Sequence, residues 1–160
     1  MFGYELSGGR GFSKHVMRFK TKEQTVRTLT AALSVAGAVQ LAIGFANFVL
    51  PAKLKYRENL ARVAPIVRQI FVVHSGYIVG IVVLFATITL AFTAALASGR
   101  GLGRFLAAAM AMFWICRVPL QLFYYDRALR HDNRSADVAI TLAFLFLATT
   151  YAAAAFVQAS

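Results

Sequence analysis

Four apolar stretches, each about as long as the roughly 30 Å hydrocarbon core of a bilayer demands of an α-helix, leave this chain few folds to choose from. They run from Thr28 to Leu50, Ile66 to Leu96, Gly103 to Tyr125 and Ala136 to Val157. A backbone in lipid has to satisfy its own polar groups, which leaves helices or a closed barrel, and the two-residue alternation of barrel strands is absent. With 59% hydrophobic residues and a mean hydropathy of +0.65, water is not the solvent of this surface. The expected fold is all-α: an integral membrane four-helix bundle at 28–157, preceded by a basic tail at 1–27.

The connections are short, so successive helices are expected as antiparallel neighbours. Pro65 suits the first turn of the second helix, where its missing donor costs nothing. That helix is longer than one span requires, so it must tilt or leave Arg68 and Gln69 in the interface. Gly99, Gly101 and Gly103, interleaved with Arg100 and Arg104, read as turn-formers. A phosphate loop would need a preceding strand and a following Lys-Ser or Lys-Thr pair. In the third connection Asn133 or Ser135 can cap the fourth helix, and Asp137 in its first turn complements the helix dipole.

Residues 1–27 contain no apolar core of a secretory signal, so the first span reads as an uncleaved anchor. Phe12, Val16 and Phe19 share a helical face while Lys14, Arg18, Lys20 and Lys22 lie around it. That is the pattern of a basic helix on anionic headgroups or of a partner-binding segment, with a disordered charged tail as the alternative. The net charge of +11 has the same explanation: basic residues flanking apolar spans anchor to lipid, and no nucleic acid is required. Lys and Arg nearly balance across the two faces, and only the density of Lys14, Arg18, Lys20, Lys22 and Arg27 favours a cytoplasmic N-terminus. An even number of spans puts both termini on one side. Cys116 is the single cysteine, so it can form no bridge within the chain.

Sorted by depth, most polar residues fall in the half-membrane of the first and third connections: Gln40, Asn47, Gln69, His74, Tyr77, Arg117, Gln121, Tyr124, Tyr125, Asp137 and Thr141. The opposite half reads as Ala, Leu, Phe and Met with a few Thr. Arg117 dominates the first group. It lies about 20 Å along its helix from Arg104, and an unpaired arginine near mid-span costs roughly 2.5–3.5 kcal/mol on the mildest scale. Helical side chains lean toward their own N-terminus, here the greasier half, so snorkelling is a poor escape. Arg117 should therefore face the bundle interior, with Trp114, Gln121 and Tyr125 on its stripe, and Pro119 should kink the helix beside it. With His74 at a similar level, these residues form a candidate binding site for a polar head. The competing role for Arg117 is a structural tie to helix-end carbonyls or to Glu58.

A single membrane histidine is ordinarily hydrogen-bonded to a neighbour. Haem at His74 would need a second ligand, and His15 and His131 lie outside the spans, so no cofactor and no metal is expected. Apart from Asp137 in the first turn of the fourth, no carboxylate lies within a span to orient His74 for catalysis, which argues against an enzyme. Gly37, Gln40, Gly44 and Asn47 form a seam of small and amide side chains on the first helix, and Gly76 with Gly80 makes a close-approach pair on the second. Both suit helix packing, within the bundle or against a partner.

The segments Tyr56-Arg-Glu-Asn59, Pro65-Ile-Val-Arg-Gln-Ile-Phe71 with His74, and Phe113-Trp-Ile-Cys-Arg117 through Gln121-Leu-Phe-Tyr-Tyr-Asp126 resemble stretches of small, uncharacterised four-helix bacterial membrane proteins. In size the chain is similar to DoxX-like proteins. The resemblance implies a bacterial inner membrane and carries no activity. Three functional classes follow from the residues. The first is a non-catalytic accessory or assembly subunit of a larger membrane complex, bound to lipids and to other subunits or to itself. The second is a one-leaflet binding protein or small enzyme gripping a quinone, lipid or similar amphiphile. The third is an oligomeric small-solute transporter, for which four helices without visible repeats are few.

Overall fold

The computed structural model describes residues 9–53, 61, 63–124 and 134–157, with the backbone alone at 9–16, 18, 19, 50–53 and 124. Five α-helices account for nearly all of them: α1 (Gly9–Lys53), α2 (Pro65–Ala91), the short α3 (Thr93–Ala97), α4 (Gly101–Pro119) and α5 (Arg134–Phe156). A π-helical turn, Leu120–Tyr124, extends α4. Four of these helices are long and apolar enough to cross a membrane, and the chain is a multi-pass membrane protein built as a four-helix bundle.

α1 is much longer than its apolar stretch. It begins at Gly9, so residues expected as an interfacial or disordered tail continue the first span as helix for 45 residues. Neither Pro nor Gly occurs between Phe12 and Ala36, and without them a sharp bend has no local cause. Thr21, Thr25, Thr28, Thr30 and Ser34 each donate the hydroxyl proton to the carbonyl four residues earlier, which hides their polarity along the rod. Pro65 opens α2 as its position predicts. A break at Phe92 separates α2 from α3, although neither Pro nor Gly marks it.

The bundle is two hairpins joined along one seam. α4 and α5 pack most extensively, α1 and α2 form the other pair, and α1 joins the two by lying against α5 and α3. Leu33, Leu96, Met110, Trp114, Leu147 and Tyr151 fill the centre. The turn between α3 and α4 is fixed by glycines with different duties. Gly99 has φ 61 and a Cβ there would collide with the Val157 carbonyl, whereas Gly101 has φ 49 with open space around it. Gly103 has ordinary helical φ, and its missing Cβ lets α4 approach the backbone at Ala95.

Candidate functional site

Arg117 is half-buried on α4, and its guanidinium stands 5.7 Å from the centroid of the Phe144 ring on α5. Among the described residues it makes no hydrogen bond and no ion pair, so a cation–π contact is what its charge meets. One turn earlier Trp114 is 1% exposed, tilted against Phe144 at 5.4 Å and edge-on to Phe113 at 5.2 Å. Its indole Nε1 is buried without an acceptor among the described residues. Phe113 in turn meets Phe85 of α2 at 5.2 Å, edge to face. The site around Arg117 is thus an aromatic cluster shared by α2, α4 and α5.

Pro119 shapes its lower edge. It has no N–H to donate to the Ile115 carbonyl, and directly after it the helix widens into the π turn. Within that turn Gln121 is buried, and its Nε2 donates to Asp137 Oδ1 at 2.9 Å. Asp137 therefore has two roles: it sits in the first turn of α5, where a carboxylate suits the dipole, and it ties α5 to α4. Ser135 lies inside the first turn of α5 rather than before it, and Asn133 and Tyr125 fall outside the described residues.

His74 does not join this cluster. Phe85 is where α2 touches Phe113, and His74 lies eleven residues before it, about 16 Å along the axis at 1.5 Å per residue. Arg117 is only one turn beyond Phe113, which leaves about 10 Å of depth between imidazole and guanidinium. The side chain is also exposed, as is Tyr77. A Cβ on Gly37 would lie 2.6 Å from Leu90 Cδ2, and one on Gly44 would lie 3.2 Å from Val83 Cγ2. That register carries Lys53 to the level of His74, so the histidine lies near the end of α1, toward the membrane face. Counting residues from a loop put His74 at the level of Arg117, whereas its exposed side chain lies at another depth and on another face.

The glycine seams separate in the same way. Gly37 and Gly44 receive α2 side chains, and Gln40 between them is fully buried. Asn47 is exposed and donates Nδ2 to its own Ile43 carbonyl at 2.8 Å. Gly76 and Gly80 have no atom within 4 Å of an added Cβ. They face outward and, with Val73, Tyr77, Ile81 and Leu84, line an open groove on α2. On α1, Lys20 is exposed and Lys22 half-buried, while Lys14 and Arg18 are described by backbone only. Arg27 pairs with Glu23 at 3.1 Å, both well exposed, so the pair contributes little.

A second polar centre was not expected. Tyr151 of α5, buried, places its hydroxyl 3.0 Å from Gln40 Oε1 on α1 and 2.5 Å from Thr89 Oγ1 on α2. Thr89 also lies 3.9 Å from the Met110 sulfur, so residues of four helices meet here. Gln40 Nε2 is left without a partner among the described residues. This network belongs to the half-membrane read as greasy, and it takes Gln40 away from Arg117. The available signal was Tyr151 itself, the sole tyrosine of the fourth apolar stretch, beside Thr149 and Thr150.

Among the described residues no three of His, Cys, Asp or Glu come close enough to hold a metal ion, and Cys116 is an exposed free thiol. No protein-family profile, curated protein or solved structure matches the chain.

Proposed function

We propose that this chain is a non-catalytic accessory or assembly subunit of a larger complex in a bacterial inner membrane, with both termini on the cytoplasmic side. The observation that supports it is the outward face of α2. Lipid tails offer helices no hydrophobic drive to associate, so a close-approach pair such as Gly76 and Gly80 contributes only when another backbone comes near. Both glycines are open, and along Ile66, Val67, Ile70, Val72 and Val73 the first turns of α2 are exposed all round. A second transmembrane helix laid in this groove would pack closely, and the basic end of α1 would add contacts outside the bilayer.

Extraction in mild detergent tests the reading. The wild-type chain should leave the membrane in a complex of fixed stoichiometry, and Gly80→Leu should release it alone with its helical content intact. A wild type that elutes singly, at the mass of one chain, overturns the proposal.

One observation favours a second reading, the binding of an amphiphile's polar head from one leaflet. Trp114 Nε1 is a buried donor without an acceptor among the described residues, one turn from the Arg117 guanidinium. A carbonyl or anionic oxygen would satisfy both. Gln121 is engaged with Asp137, and His74 lies elsewhere, so this site is smaller than the stripe suggested. Extracting the purified protein and finding a stoichiometric amphiphile that Arg117→Gln loses would favour it.

A further inference from the structure

Near the termini a groove of about 530 Å³ opens between α1 and α5. Thr21, Gln24, Thr25 and Thr28 line its α1 wall, and Thr149 and Thr150 stand on the α5 side. Leu29, Ala32, Phe146 and Ala153 complete it with apolar surface, so one cleft offers both polar and apolar walls.

The hydroxyls are not equivalent. Thr21, Thr25 and Thr28 give their protons to Met17, Thr21 and Gln24 carbonyls at 2.9 Å, and Thr149 gives its proton to Leu145 at 2.8 Å. What remains on those oxygens is lone pairs, so they can only accept. Thr150 differs. It is 7% exposed and makes no hydrogen bond among the described residues, so its proton is free at the groove wall. A molecule that fits must bring donors to the α1 side, an acceptor to Thr150 and an apolar body along Ala32 and Phe146.

Charge selects further. Between residues 14 and 27, α1 carries five Lys or Arg against the single acid Glu23. Lys20 adjoins Thr21 and is exposed, and Arg27 adjoins Thr28 with only a solvent-exposed partner. A basic cluster at the end of a span attracts anionic headgroups.

We propose that this groove seats one anionic phospholipid with a hydroxyl-bearing headgroup. The headgroup hydroxyls donate to Thr21, Thr25 and Thr28, the phosphate lies by Lys20 and Arg27, an ester carbonyl accepts from Thr150, and an acyl chain lies along Ala32 and Phe146. The groove is on the opposite side of α1 from the α2 seam and does not depend on the accessory-subunit reading, so either can fail alone.

The test uses the full-length chain, delipidated in mild detergent, with phosphatidylglycerol or phosphatidylcholine added back and bound lipid counted by native mass spectrometry. Wild type should hold one phosphatidylglycerol per chain, about five-fold or more in preference to phosphatidylcholine. Ala153→Phe, which fills the groove, should abolish that retention. Thr150→Val, nearly isosteric, should lower it by about five-fold, the effect of one lost hydrogen bond, and serves if the larger substitution unfolds the protein. Lys20→Gln with Arg27→Gln should remove the preference between the two lipids. Equal retention of both lipids by wild type, or undiminished retention in Ala153→Phe and Thr150→Val, overturns the proposal. So does a wild-type dimer that Ala153→Phe separates, because a second copy would then be the occupant.

Discussion

The hydroxyl of Tyr151 lies 3.0 Å from Oε1 of Gln40, across the interface that joins the two hairpins of the bundle. The same hydroxyl is 2.5 Å from Thr89, whose own proton goes to the Phe85 carbonyl at 2.7 Å. Two hydroxyl protons thus serve three contacts, while Gln40 Nε2 has none among the described residues. A half-turn of the Gln40 amide supplies the missing proton: Nε2 donates to Tyr151, Tyr151 to Thr89 and Thr89 to Phe85. Each contact then has a donor, which is how a buried polar chain becomes favourable rather than costly.

Tyr151→Phe should therefore lower stability by about 1–3 kcal/mol, because it leaves buried amide and hydroxyl groups unmatched. Gln40→Leu should cost a similar amount. The double variant is expected to lose clearly less than the two together, with a coupling of roughly 0.5–3 kcal/mol read from denaturation in detergent. Additive losses would mean that the two side chains do not act as a unit.

The turn glycines give a graded pair. Gly101→Ala should cost about 1–2 kcal/mol from its positive φ alone, since the space around it is open. Gly99→Ala carries the same backbone penalty and a collision with the Val157 carbonyl, so its thermal midpoint should fall further. Gly76→Ala and Gly80→Ala, which meet nothing among the described residues, should stay within about 0.5 kcal/mol of wild type. The ranking, measured in one detergent, checks the packing of α3 and α4 against the end of α5.

Arg117→Leu is expected to change thermal stability by no more than about 2 kcal/mol, the upper range of a desolvated cation–π contact, because the Phe144 ring is its partner among the described residues. A collapse of the fold in this variant would show a structural tie to the connections instead.

Topology is checked by labelling in sealed vesicles, after Cys116→Ala removes the exposed native thiol. Cysteines at Met17 and Ser98 should react from one face and a cysteine at Ala61 from the other. Reaction of Met17 and Ser98 from opposite faces would remove a span from the bundle.

The spans were legible because length and hydropathy are summed over many residues and tolerate local error. The N-terminal reach of α1 was not, since Lys14, Arg18 and Lys22 give no hydropathy signal, although a stretch free of Pro and Gly permits helix throughout. The break at Phe92 has no marker of that kind. Arg117 and Gln121 could be placed on an inward face because an arginine has few alternatives in lipid. The pairing of His74 with Arg117 could not be judged, since it depends on inter-helix register, which Leu90 against Gly37 and Val83 against Gly44 set only in three dimensions. Tyr151 was overlooked for a related reason: a tyrosine in an apolar run looks like bulk until its hydroxyl is given neighbours.

The unbroken α1 also has a mechanical consequence. Its first 20 or so residues form an arm of about 30 Å continuous with the span, so a tilt of about 20° carries the basic end sideways by about 10 Å. Tilt responds to the thickness of the surrounding bilayer. A thinner membrane, or a neighbour that straightens the span, would be reported at the surface as a change in where the positive charges stand.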